Sequence, residues 1–82
     1  MREYEGWSAT LPARDGTRTI LSPQRGGAAM LAATASLART LLAAGASLVP
    51  DHPVTVTFVY DLERGTARAR ASARADVLEG RP

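Results

Sequence analysis

Three arginines recur at even positions near the end of the chain, Arg68, Arg70 and Arg74. In an extended strand, residues two apart share one face at a spacing of about 7 Å. A row of guanidinium groups at that spacing can follow the phosphates of a nucleic acid. The alternative is that they are solvated or ion-paired, because Asp61 is expected opposite Arg68 and no aromatic side chain is expected on that face. The row is a candidate anion or nucleic-acid contact.

The residues that could support catalysis or bind a metal are sparse. His52 is the single histidine, next to Asp51 in the segment V-P-D-H-P, and the chain has no cysteine. Hydrolysis would need a nucleophile and an orienting acid around the imidazole, and zinc or calcium would need further ligands at recognisable spacings. We expect a solvated loop histidine, no catalytic residue, no metal and no cofactor, so the chain is not expected to be an enzyme.

A weak anion-binding signal lies at Arg25-Gly26-Gly27, at the entrance to a predicted helix. Free backbone N–H groups at a helix N-terminus attract anions. The segment lacks the Lys-Ser/Thr of a P-loop and the glycine spacing of a dinucleotide site. We therefore expect a flexible helix lead-in, with the regular helix starting near Ala28.

The arginine row belongs to a predicted hairpin over residues 54–77. Both of its segments alternate between apolar and polar residues, and Arg64-Gly65 separates them. A two-residue turn there places every large apolar residue opposite an alanine: Leu62 with Ala67, Tyr60 with Ala69, Phe58 with Ala71, Val56 with Ala73 and Val54 with Ala75. A three-residue loop would turn the arginines into the core. The five alanines indicate that a helix lies over this strand.

A first hairpin is predicted over residues 3–22, with its turn at Asp15-Gly16. This arrangement places Leu11 opposite Ile20 and Ala9 opposite Ser22. Pro12 fits best on an edge strand, because it has no N–H to donate. Trp7 and Tyr4 are either core residues or partner anchors, and with only four aromatic residues in the chain we expect Trp7 in the core.

The segment 23–48 is predicted to hold a helix that starts at the Ser22-Pro23 capping signal and continues to about Leu42, with Gly45 as the expected stop. At about 100° per residue one side collects the large apolar residues and is expected to face the core. These are Met30, Leu31, Leu37, Leu41, Leu42 and Leu48. The opposite side carries one charge among small residues, and its candidate partner-interface residues are Ala28, Ala32, Ala35, Arg39 and Ala43.

Composition limits the class of protein. The 82 residues fit one domain, 1–82, with residues 78–82 as a tail. All ten basic residues are arginine and sixteen residues are alanine, which a G+C-rich genome explains without selection for phosphate binding. The absence of cysteine and of a signal peptide fits a cytoplasmic protein. Residues 28–49 could span a bilayer by length, but Arg39 near the middle argues against a membrane.

The predicted fold class is therefore α+β: a ββαββ chain in which one helix covers one face of a small antiparallel sheet of about four strands. Two functions remain. The first is a non-enzymatic binding or assembly module that acts through self-association, as a homo-oligomer, or through a protein partner. The second is a small nucleic-acid-binding protein that uses the arginine face of the last hairpin.

Overall fold

A computed structural model describes residues 1–12 and 23–77 and shows one helix packed against a five-stranded antiparallel sheet. The elements in chain order are β1 (Arg2–Trp7), β2 (Leu11–Pro12), α1 (Pro23–Ala44), β3 (Ala46–Leu48), β4 (Thr55–Asp61) and β5 (Thr66–Val77). This confirms the α+β class with a ββαββ-like order. The turn predicted at Asp15-Gly16, the strand expected after it and the tail 78–82 lie outside the described residues.

The long strand β5 is the centre of the sheet, and the other four strands all pair with it in antiparallel fashion. β1 and β4 both have Arg70 as a register partner, so they must lie on opposite edges of β5. Ala67 pairs with both β2 and β4, so β2 lies on the β1 side of β5. Ala75 pairs with both β1 and β3, so β3 lies on the β4 side. Five strands are described where about four were expected: residues 46–48 form a strand and the first strand is divided into β1 and β2, while the strand expected after Asp15-Gly16 lies outside the described residues.

The last hairpin has the predicted faces but a different register. Phe58 pairs with Ala69 rather than Ala71, and Val56 pairs with Ala71 rather than Ala73. The turn is four residues long, 62–65, and ends at Gly65 in the left-handed conformation, with φ of 63°. A shift of two residues keeps each side chain on its original face, so the large apolar residues still lie opposite alanines.

The helix begins at Pro23 and ends at Ala44, directly before the predicted stop at Gly45 but four residues short of the end of the predicted helical segment 23–48. Gly45 stops it with φ of 63°, and its N–H donates to the Leu42 carbonyl at 3.1 Å. The chain then enters β3, where Leu48 pairs with Ala75. Leu48, expected on the helix, therefore lies on the sheet, because Gly45 ends the helix and the next three residues pair with β5 as strand β3.

Among the described residues, the buried core between α1 and the sheet consists mainly of small side chains, with larger apolar residues only partly buried at its border. Leu37 is 2% exposed and is the largest fully buried side chain. Around it lie buried alanines from both elements: Ala29 and Ala33 of the helix, and Ala69, Ala71 and Ala73 of β5. The prediction that the helix lies over the alanine strand is thus confirmed. The expected core stripe is partly wrong, since Leu31 and Leu42 are 74% and 83% exposed and Met30 is also exposed.

Candidate interaction surfaces

The side of the sheet away from α1, here called the arginine face, carries Arg68, Arg70 and Arg74 as the sequence predicted. Alternation along β5 places them there because the alanines between them are buried under the helix. Arg68 and Arg74 are exposed and Arg70 is half-buried. The structure therefore brings the three candidate residues onto one strand and one face.

Trp7 also lies on the arginine face, which corrects two expectations: that it is a core residue, and that no aromatic side chain shares this face. It pairs with Arg70 across the β1–β5 ladder. The guanidinium carbon of Arg68 lies 4.2 Å from the centroid of the Trp7 ring, and that of Arg70 lies 5.9 Å away. Cation–π attraction holds such a stack together. Trp7 lies on this face because side chains alternate along β1, and Tyr4 and Gly6 face the helix.

Carboxylates on β1 offset part of the positive charge. Glu5 Oε2 lies 3.6 Å from Arg70 Nη1, and Glu3 is the register partner of Arg74. Asp61, expected to neutralise Arg68, instead accepts a hydrogen bond from the Arg64 N–H at 3.2 Å and lies 3.7 Å from Arg64 Nε. The four-residue turn causes this change, because Val59 takes the position opposite Arg68.

The outer side of α1 is the second surface. All five candidate interface residues, Ala28, Ala32, Ala35, Arg39 and Ala43, are exposed. Sequence reasoning missed Leu31 and Leu42, which belong to the same open surface together with Ala38. Their positions relative to Ala35 and Ala38 follow steps of four, three and four residues, the spacing of a helix-packing seam. We call Leu31, Ala35, Ala38 and Leu42 the leucine–alanine seam.

The remaining candidates are His52, a metal site and the segment Arg25-Gly26-Gly27, and the described residues do not bring them together into one site. His52 is exposed, and its N–H donates to the Val49 carbonyl at 3.2 Å in a turn where Asp51 has φ of 70°. Within residues 1–12 and 23–77, no group of three or more histidine and acidic side chains could hold a metal ion. Gly26 and Gly27 lie inside α1, which corrects the expectation of a flexible lead-in there.

The helix also has the length and composition of a membrane span between Arg25 and Ala44, with a mean hydropathy of 1.4. Its inner side packs on the sheet through Ala29, Ala33 and Leu37. The core helix of a globular protein can have the same length and hydropathy as a membrane span, so these two properties alone do not distinguish a core helix from a span.

Comparison with known proteins gives no relative: no family model matches the chain, and neither a curated protein nor a solved structure is significantly similar to it.

Proposed function

We propose that this chain is a non-enzymatic assembly module whose copies associate through the leucine–alanine seam on the outer side of α1. The observation that carries the proposal is the exposure of Leu31 and Leu42, at 74% and 83%, on one helix face. Two such side chains, joined by Ala35 and Ala38, form a continuous apolar strip in water. Contiguous apolar surface of this kind is typical of an interaction site.

The seam is self-complementary, which favours a second copy of the chain as its partner. Its spacing of four, three and four residues is the same when read in either direction. In an antiparallel pair of α1 helices, Leu31 therefore lies opposite Leu42 of the second copy, and Ala35 lies opposite Ala38. A two-fold contact of this type uses the same patch on both chains. Small residues at its centre permit a short interaxial distance, near 8 Å.

The charges of α1 are consistent with this pairing. The helix contains no acidic residue, and Arg39 stands beside the seam rather than in it. In the antiparallel pair, Arg39 lies on the same flank of the seam as Ala32 of the second copy, and the two Arg39 side chains are offset by about five residues, roughly 7.5 Å, along the helix axis. A helix face made only to contact water would carry several charged residues.

The small core supplies a further reason for association. Apart from Leu37, the buried apolar residues of the described chain are alanines. A domain of about 80 residues is only marginally stable even with an ordinary core. Binding between folded copies stabilises them by mass action, because the unfolded chain lacks the interface.

A second copy fits the seam better than a lipid bilayer does. Arg39 near the centre of α1 would cost about 2.5–3.5 kcal/mol in a bilayer by insertion scales. Moreover, α1 is packed along a sheet in which one edge of β4 has no strand partner among residues 1–12 and 23–77, and such an edge would lack hydrogen-bond partners in hydrocarbon. We therefore favour a protein partner, rather than a lipid bilayer, on the outer side of α1.

Light scattering after size exclusion tests the proposal. The native chain is expected to show more than one copy per particle at high micromolar concentration, and Leu31→Glu to lower the mass, because it places a carboxylate in the seam. Leu62→Glu is the matched control, since Leu62 is 91% exposed in the β4–β5 turn, away from α1. A native chain that is monomeric at every concentration, or equal masses for the two variants, would contradict the proposal.

One observation favours a second candidate function, the binding of single-stranded nucleic acid on the arginine face. Trp7 offers an aromatic ring beside Arg68, and aromatic rings flanked by cations are typical of such sites. Glu3 and Glu5 lie on the same face, and their carboxylates repel phosphate groups, which argues against this candidate. A gel shift with single-stranded DNA at low salt tests it: Arg68→Ala should weaken retention, and Arg39→Ala, on α1, should not. Absence of retention by the native chain would exclude this candidate.

A further inference from the structure

We propose that β4 pairs edge to edge with β4 of a second copy, so that the sheets of two chains continue into one antiparallel sheet. Along one side β4 pairs with β5, and no described residue pairs with its other side. This contact is separate from the leucine–alanine seam and does not depend on it. An unpaired strand edge presents backbone N–H and C=O groups that can form a ladder with another strand.

The composition of β4 distinguishes it from β1, the other long strand at an edge of the described sheet. Its residues Thr55 to Tyr60 read T-V-T-F-V-Y and carry no charge, and they are the residue types most frequent in strands. By contrast, β1 carries Arg2, Glu3 and Glu5. Charged residues on an edge strand hinder pairing with another chain, so β1 is protected where β4 is not.

The position of the helix leaves β4 incompletely covered. The core cluster beneath α1 draws its strand residues from β5, whereas Val56 and Phe58 of β4 are only partly buried at its border. Tyr60 on the same face is 37% exposed, and Val59 on the arginine face is 40% exposed. A neighbouring strand would remove apolar surface from water on both faces of β4 at once.

The strand is also compatible with its own copy. In an antiparallel pair centred on Phe58, Val56 lies opposite Tyr60 of the second copy, and Thr57 lies opposite Val59. At the ends, Thr55 meets Asp61, whose carboxylate can accept a hydrogen bond from the threonine hydroxyl. No two like charges face each other, and each face keeps its character across the junction.

The two proposed contacts lie in different directions, because the seam faces away from the sheet and the β4 edge lies in its plane. Each is a two-fold contact that uses one patch twice. Together they predict an assembly larger than a dimer, most simply two dimers joined through β4. Disruption of one contact should then leave a dimer held by the other.

Two sets of substitutions separate the contacts. Leu31→Glu with Leu42→Glu removes the seam, and both side chains are exposed, so the fold should survive. Thr57→Glu with Val59→Glu acts on the β4 edge. Within one chain these carboxylates lie opposite Arg70 and Arg68, which favours the folded chain. Between copies they lie opposite each other, which opposes pairing.

Light scattering and sedimentation of these variants, with circular dichroism to verify folding, give the answer. The seam variant is expected to remain a dimer, and addition of the two β4 substitutions should make it a monomer. Leu62→Glu added to the seam variant controls for charge and should leave the dimer intact. A seam variant that is monomeric at every concentration would overturn β4 pairing while leaving the seam in place. A native chain that is already monomeric would overturn both contacts, and a β4 variant with the native mass would overturn β4 pairing.

Discussion

The backbone of Leu37 lies directly on Gly6, and this contact sets the distance between α1 and the sheet. A Cβ atom built on Gly6 would lie 2.6 Å from the Leu37 Cα and 2.5 Å from the Ala33 carbonyl oxygen. Both neighbours are helix backbone, which cannot move aside as a flexible side chain can. The close approach also explains why alanines fill the surrounding core: there is little space for larger side chains between the two layers.

Gly6→Ala should therefore destabilise the fold by about 3 kcal/mol or more, because the helix must move away from the sheet. Gly27→Ala is the control, since nothing lies within 4 Å of its Cβ position. Alanine in a helix interior is favoured over glycine, so this control should gain about 0.5–1 kcal/mol. Thermal melts of the two variants measure the difference. Equal melting temperatures would contradict the close packing at Gly6.

Leu37→Ala should cost about 2–5 kcal/mol, because it empties the centre of an otherwise alanine-rich core. Leu62→Ala makes the same chemical change at a 91% exposed site and should stay within about 0.5 kcal/mol of the native chain. Phe58→Ala should fall between them, since Phe58 is only partly buried. Urea unfolding of the three variants gives the order, and an equal loss from Leu37→Ala and Leu62→Ala would place the core elsewhere.

Ser8 links β1 to the central strand through a buried side chain. Its hydroxyl accepts a hydrogen bond from the Ala69 N–H at 2.9 Å and donates to the Ala9 carbonyl at 2.8 Å. Ser8→Ala leaves the buried Ala69 N–H without this partner, so we expect a loss of about 1–3 kcal/mol. Thr40→Ala removes an exposed hydroxyl that bonds the Ser36 carbonyl and should change stability little. Chemical denaturation compares them, and a neutral Ser8→Ala would refute the role of the hydroxyl.

Trp7 is the only tryptophan, so its fluorescence reports on the arginine face. Arg68→Ala uncovers one side of the indole ring and should shift its emission to longer wavelength, with a stability loss of about 0.5–1 kcal/mol. Arg74→Ala is the control, because Arg74 lies opposite Glu3 rather than over the ring. If both variants emit as the native chain does, Arg68 does not cover Trp7 in solution.

The two faces of the last hairpin could be predicted from the sequence, because alternation fixes which side chains share a face. Its register could not be fixed in the same way, since a shift of two residues preserves both faces. The missed signal was Asp61, whose side chain accepts from the Arg64 N–H and stabilises a longer turn ending at Gly65. The role of β5 as the centre of the sheet depends on pairings distant in sequence, which alternation does not reveal.

The burial of α1 was predicted less well. The alanines assigned to the outside are exposed and Leu37 is buried, as predicted. However, Leu31 and Leu42 were assigned to the core and are exposed, and the buried Ala29 and Ala33 were assigned to neither side. The usual assignment fails here because Gly6 lets the helix backbone approach the sheet so closely that alanine is the side chain that fits. Side-chain size on a helix indicates its inner face only when the spacing between layers is ordinary.

The central claim, antiparallel pairing of two copies through the leucine–alanine seam, can be tested by cysteine crosslinking because the native chain has no cysteine. Ala35→Cys and Ala38→Cys chains are prepared separately and mixed under mild oxidation. The account predicts that the mixture forms a covalent dimer faster than either variant alone, because Ala35 faces Ala38 of the second copy, and that Leu31→Glu in both chains slows the reaction. A mixture that crosslinks no faster than the separate variants, or that is unaffected by Leu31→Glu, would contradict it.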